Sequence, residues 1–409
     1  MKRSFALGCL LLTLVTWLAC ALLARPVSVE IAHRWGPAIV RAGDGKISDA
    51  AVFLQHRIYE SAWLLTLTIG LAVAGVALAQ VLARRVPPLW KWVPCSVVGF
   101  VGINLWLKLA AGACLFWCLF WNGKGATNNL TQFHIKLLLM DENPAPIKVA
   151  LGGSSQIHAQ IDPRLLNRQL GSNIFATELH FPGNRTFDYL FLDHKLRRHK
   201  ADVVICYLSE GIFFNGAVSE GFPFFFGFRD LPAFLRLGGK PQWSLKSLGL
   251  GLLGNALPIF WLRDPVAQRL LGNEVAGLGQ SEQLAALATD LDRRAVASAA
   301  AFCAGPQSDF CFAAFEAFVA RCQSERKTVV LCCGQLNPIL ARQLDPALRP
   351  KMLAFIAGLA AKFDNVVLFQ EKDLPAQTET DYVDLSHVTT AAQIHFTEAI
   401  ARSLQDLRL

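Results

Sequence analysis

Three long apolar runs in the first third of the chain constrain it most: Phe5 to Leu23, Ala62 to Leu82 and Val97 to Trp121. Each can cross a hydrocarbon core of about 30 Å at about 1.5 Å per residue. One such run also fits a buried globular helix, but three in close succession point to a membrane domain over residues 1–125. The first run has a second reading, a cleaved signal peptide. Lys2 and Arg3 precede it, and Ala19-Cys20-Ala21 offers small residues at a cleavage point. Its length favours an uncleaved anchor. Lys2, Arg3, Arg84, Arg85 and Lys91 cluster at span ends, which places the N-terminus inside. The outer loop carries as many basic residues, at Arg25, Arg34, Arg41, Lys46 and Arg57, so the count alone does not decide. Three crossings leave everything after Trp121 outside. Lys108 sits mid-span, where an ammonium needs a polar partner or must snorkel.

The net charge of +8 does not mark a nucleic-acid binder, because the basic residues are dispersed. The one cluster, Lys195 to Lys200, reads as a solvated helix end. Cysteine spacing indicates neither zinc nor a disulfide framework, and no cofactor is expected. Cys303 and Cys311 bracket a Pro/Gly turn, either as a disulfide or as two separate buried thiols.

A polar connector over 126–145 leads into a different rhythm. Strands are predicted at Lys148–Leu151, Ile174–Thr177, Val203–Leu208, Thr328–Cys333 and Val366–Phe369. Helices are predicted at Pro163–Leu170, Thr186–His199, Phe310–Ser324, Arg349–Lys362 and from Thr389 onward. Asp162 is the expected cap of the first helix and Pro163 its first turn. This alternation implies an α/β fold over 146–409, a parallel sheet covered by helices on both faces. An insertion at about 216–300 interrupts it with "GFPFFFGF" and an uncharged run from Ser247 to Leu262. That run is short for a span. It reads as a lid or surface helix, or as a small satellite core.

Sites in such sheets lie beyond the carboxyl ends of the strands. There the chain reads "IKVALGGSSQIHAQIDPRLL", Ile147 to Leu166. Glycines permit a sharp turn, and a serine there can act as a nucleophile if a base and an orienting group are in reach. Ser154 and Ser155 both qualify. Far downstream, "DYVDLSHVTTAAQIHFTEAIARSL" supplies Asp384 and His387 just before the final helix. In an Asp-x-x-His loop the carboxylate can hold Nδ1 and leave Nε2 free to take a proton. Neither motif is specific alone; the pair is.

Together these blocks resemble the SGNH/GDSL hydrolase superfamily, in particular membrane-anchored members that transfer D-alanyl groups or O-acetylate alginate. "GSSQIHAQIDPRLL" is similar to the first block of that group and "DLSHVTTAAQIHFTEAIA" to the last. "HFPGNRTFDYLFL" is similar to the second block, whose glycine falls on Gly183. The likeness spans about residues 146–215 and 328–405. It implies a flavodoxin-like sheet, with Ser155 as nucleophile (Ser154 as the alternative), His387 as base and Asp384 as its orienter. Gly183, Asn184 and Ser209 are the implied oxyanion or substrate-binding groups. The third block departs from the pattern: "CYLSEGIFFN" has no asparagine near Ser209 and Glu210. Losing one oxyanion donor costs about 2–4 kcal/mol of transition-state stabilisation. His158 is expected on a helix surface. Gln335 and Asn337 are expected at the substrate rim, with turn chemistry as the other reading of Asn337. Glu210 is read as a sugar ligand or a cap.

The resemblance implies an O-acyl transferase or esterase acting on an envelope or exported polysaccharide. It would sit in a bacterial inner membrane with the catalytic domain facing the periplasm. A membrane acyl-donor protein and the bilayer are the implied partners. The alternative is an inactive scaffold that keeps the fold and binds a polysaccharide or an assembly partner.

Overall fold

The computed structural model describes residues 143–181, 183–198, 200–215, 222–237 and 290–406, with isolated positions between 74 and 140 and between 248 and 253. The chain divides into two units, residues 1–138 with 253–275, and residues 139–252 with 276–409. In the first unit residues 96–101 are helical, and the Asn104 side chain donates to the Phe100 carbonyl at 2.9 Å. The spans expected at 62–82 and 97–121 are described at only a few positions. The span at 5–23, Lys108 and most of Ser247–Leu262 lie outside the described residues. Among the described residues, no helix is long and apolar enough to cross a membrane.

The second unit is built on five strands: β1 (Ile147–Gly153), β2 (Ile174–His180), β3 (Val203–Leu208), β4 (Thr328–Cys333) and β5 (Val366–Phe369). All pairings are parallel, in the order β2-β1-β3-β4-β5. This is an α/β sheet of flavodoxin-like order, whose direction of growth reverses between β1 and β3. β3, β4 and β5 have the extents their sequences predict, because each is an apolar run ended by a polar or turn residue. β1 and β2 run further than expected. The ladder continues through Gly152 and Gly153 and through Glu178, Leu179 and His180 because the strand backbones pair, Leu151 against Glu178, Gly152 against Leu179 and Gly153 against His180.

Side-chain alternation splits the core in two. On one face Val149, Leu151, Ile205, Tyr207, Val330 and Cys332 pack in a cluster. Helices α1 (Ser155–Gln160), α2 (Pro163–Leu170) and the final helix (Thr390–Asp406) cover that face. Asp162 caps α2 through the Arg164 amide at 2.8 Å, with Pro163 in the first turn. Asn167 of α2 clips the β2 edge in both directions, to the Ala176 amide at 2.6 Å and its carbonyl at 2.8 Å.

The opposite face is aromatic. Helices α3 (Thr186–Arg198), α4 (Glu210–Phe214), α5 (Phe222–Phe225), α6 (Leu231–Arg236), α7 (Leu291–Ala299) and α8 (Pro306–Ser324) follow in chain order. Of these, α3 packs against β1 and α8 against both α3 and β4. Phe222 and Phe226 from the insertion are buried and set edge-on against Phe191 of α3. This part of the insertion therefore extends the core. Cys303 is exposed and Cys311 buried, both as free thiols, so of the two readings the separate thiols hold, except that only Cys311 is buried. Phe213 of α4 stacks on Phe312 at 4.8 Å and meets Phe315 and Phe355 edge-on.

Phe213→Ala is expected to cost about 3–5 kcal/mol, the range for deleting a buried aromatic side chain. Urea unfolding followed by circular dichroism measures it; a loss under 1 kcal/mol would contradict this packing.

Candidate active site

β1 ends in a turn that only small residues allow. A Cβ on Gly152 would stand 2.7 Å from Tyr189 Cε1, and the Tyr189 hydroxyl donates to the Gly152 carbonyl at 2.6 Å. Gly153 takes φ +157°, and a Cβ there would meet Ile157 Cγ2 at 3.1 Å. Glycine at both positions lets β1 run straight into α1.

The two serines on this turn do different things. Ser154 is the N-cap of α1. Its Oγ accepts the Gln156 amide at 3.3 Å, and the residue is buried. Ser155 is the first helical residue, and its Oγ lies 2.9 Å from His387 Nε2.

His387 comes from the loop before helix Thr390–Asp406. The backbone folds on itself there: Tyr382 and Val388 form an antiparallel bridge, and the Val383 amide donates to the His387 carbonyl at 2.8 Å. Asp384 holds this loop from inside. Its Oδ1 accepts the Ser386 and His387 amides at 2.7 and 2.8 Å, while Oδ2 meets His387 Nδ1 at 2.7 Å. Burial by itself raises the Asp384 pKa. The hydrogen bond and charge of His387, with the two amides, outweigh that and hold the carboxyl below its ordinary value. An ionised Asp384 accepts the Nδ1 proton, so Nε2 presents its lone pair to the Ser155 hydroxyl.

Helices α9 (Pro338–Ala341) and α10 (Leu348–Lys362) follow β4. Asn337 caps α9 through the Ile339 amide at 2.9 Å and donates from Nδ2 to the Asp384 carbonyl at 2.9 Å. It is 1% exposed, so turn chemistry is what it performs, and the same side chain anchors the Asp384 loop. Gln335 accepts the Gln377 amide at 3.2 Å.

The other expected residues are distributed as follows. Gly183 adopts φ +71° between Phe181 and Asn184. The Phe181 amide donates to the Gly153 carbonyl at 3.2 Å, so this loop leaves β2 beside the serine turn. Asn184 is buried within the loop. Ser209 is committed elsewhere: its hydroxyl donates to Gln156 Oε1 at 2.7 Å, with both residues buried. Glu210 is an ion-pair partner. Arg349 Nη1 reaches its Oε1 at 2.8 Å, and the same guanidinium contacts the Gly334 carbonyl and Glu371. His158, on the exposed side of α1, reaches the Glu178 carboxylate at 3.0 Å. Sequence reasoning missed Glu178 and His180. The available signal was Glu-x-His at a strand end, which puts both side chains on one face.

No protein-family model matches the chain, and no curated protein matches it.

The pKa direction of Asp384 fixes a stability effect. A carboxyl with a depressed folded-state pKa adds stability above its unfolded value of about 3.9, and that stability is lost as pH falls through the folded value. The gap in stability between wild type and Asp384→Asn is therefore expected to be full near neutrality and to close on acidification below about pH 4. Denaturant midpoints compared across pH check this; a gap that does not depend on pH would refute it.

Proposed function

We propose that this chain is an SGNH-type serine acyltransferase or esterase, anchored in a bacterial inner membrane with the α/β unit outside. It would act on O-acyl groups, foremost O-acetyl groups, of an envelope or exported polysaccharide. The observation that carries the reading is the contiguous relay Asp384–His387–Ser155, with separations of 2.7 and 2.9 Å, at the carboxyl end of β1. Residues 232 positions apart in sequence meet there in hydrogen-bond geometry.

The chemistry follows from the relay. Ser155 Oγ attacks the ester carbonyl carbon while its proton passes to His387 Nε2. Asp384 stabilises the resulting imidazolium. The bond to the leaving alcohol then breaks, and that oxygen takes the proton from His387, leaving the acyl group on Ser155. A sugar hydroxyl or water gives its proton to Nε2 and attacks the acyl carbon. The acyl group departs and Oγ recovers its proton. Transfer and hydrolysis differ only in which acceptor reaches the acyl-enzyme and how well water is excluded. The apolar N-terminal runs and the aromatic insertion favour transfer, with acyl groups supplied by a membrane donor protein. Gly183 and Asn184, on the loop beside the serine turn, are the proposed oxyanion or substrate-binding groups. Ser209 does not share that role, because its hydroxyl is held by Gln156.

The test is labelling of the full-length protein with a fluorophosphonate and turnover of p-nitrophenyl acetate. Ser155→Ala is expected to abolish labelling and to lower turnover about 10³-fold or more. Ser154→Ala is expected to keep labelling and to lose about 1 kcal/mol of stability as a deleted cap. No labelling and no turnover in the wild type would overturn the proposal. Labelling that survives Ser155→Ala but not Ser154→Ala would reassign the nucleophile.

A further inference from the structure

Beside the relay lies a second polar cluster that the proposed reaction does not use. His158 stands on α1, one turn beyond Ser155. Glu178 and His180 are alternate residues at the carboxyl end of β2, so their side chains project from the same face. One ligand atom from each of the three, two imidazole nitrogens and a carboxylate oxygen, lies within 4.8 Å of the others. His158 Nδ1 is 3.0 Å from Glu178 Oε1, and His180 Nδ1 is 3.5 Å from Glu178 Oε2. The Glu178 side chain is only 4% exposed, so a carboxylate is buried with an imidazole at each oxygen.

We propose that His158, Glu178 and His180 bind a divalent transition-metal ion of the zinc class. Two imidazoles and one carboxylate form a donor set suited to such ions. Zinc bonds of about 2.0–2.1 Å at tetrahedral angles put neighbouring ligand atoms about 3.3 Å apart. At the single oxygen Oε2 of Glu178, His158 Nδ1 stands at 3.1 Å and His180 Nδ1 at 3.5 Å, which bracket that spacing. The two rings now lie nearly parallel, with centroids 4.8 Å apart and planes 20° from each other. Convergence on one ion requires one ring to turn. His158 can turn, because its side chain is 60% exposed. That exposure also leaves the fourth coordination position open to water or to a ligand oxygen. β2 is rigid in the sheet and α1 carries Ser155, so the ion would tie the nucleophile's helix to the strand beside it.

The test uses the full-length chain, stripped with a chelator and titrated with Zn²⁺ against a chromogenic metal indicator. One tight site per chain is expected, together with a Zn²⁺-dependent rise in melting temperature. His158→Ala, at an exposed position, is expected to keep the fold, to weaken binding at least about 100-fold and to lose the thermal shift. Glu178→Gln should weaken binding similarly. Ser155→Ala and His387→Ala should leave it unchanged. Equal binding by wild type and His158→Ala would overturn the proposal, and so would binding that His387→Ala abolishes. Absence of tight Zn²⁺ binding in the wild type would leave only a carboxylate clasped by two histidines and would equally overturn it. None of these readouts depends on whether Ser155 is reactive.

Discussion

The pairing of β1 with neighbours on both edges is the constraint on which the rest depends. β1 lies between β2 and β3, both parallel to it, and its residues from Val149 to Gly153 are buried. A strand held on two sides leaves the chain no freedom at its exit, so the Gly152–Gly153 turn delivers α1 in one orientation. Ser154 locks that orientation by capping the helix, which leaves Ser155 as the serine directed at His387. Two adjacent serines thus divide the work. One holds the helix end and the other meets the imidazole.

The imidazole is fixed by an independent set of interactions. Asp384 spends one carboxylate oxygen on two backbone amides and the other on His387. Asn337, on the loop after β4, holds the Asp384 carbonyl from below. The imidazole is thereby referenced to β4 and the serine to β1, and the sheet sets their distance. The proposed reaction needs such preorganisation, since a serine hydroxyl is a weak nucleophile without a base already in place. The segment after β3 fits the same picture. Ser209 and Gln156 satisfy each other inside the core, and Arg349 neutralises Glu210. Those groups stabilise the carboxyl end of β3 and are occupied there.

The strands most legible in the sequence were those with uniform apolar runs, β3, β4 and β5. Each is flanked by residues that stop it, such as Ser209 and Gly334. β1 and β2 look shorter in the sequence than they are, because Gly152 and Gly153 lack side chains and Glu178 and His180 are polar. Their place in the sheet comes from backbone pairing between β1 and β2, which no local pattern reveals. Asp162 and Pro163 announced α2 correctly, because capping is a local interaction between neighbours in sequence. The phenylalanines of the insertion were visible as composition only. That Phe222 and Phe226 pack against α3 is a matter of which face the insertion folds back upon.

What the sequence by itself determined was the alternation of strands and helices, the small-residue turn after β1, and the Asp-x-x-His loop before the last helix. These depend on local conformational preference and on spacing along the chain. Only the tertiary structure shows which of Ser154 and Ser155 faces His387, because the two partners lie 232 residues apart in sequence. It also turned Asn337 from a turn residue into the anchor of Asp384, committed Ser209 to Gln156, and gathered His158, Glu178 and His180. In each case the partners come from separate segments of the chain. The physical reason is common to all of them: side-chain convergence is set by sheet order and helix orientation, which sequence spacing does not encode.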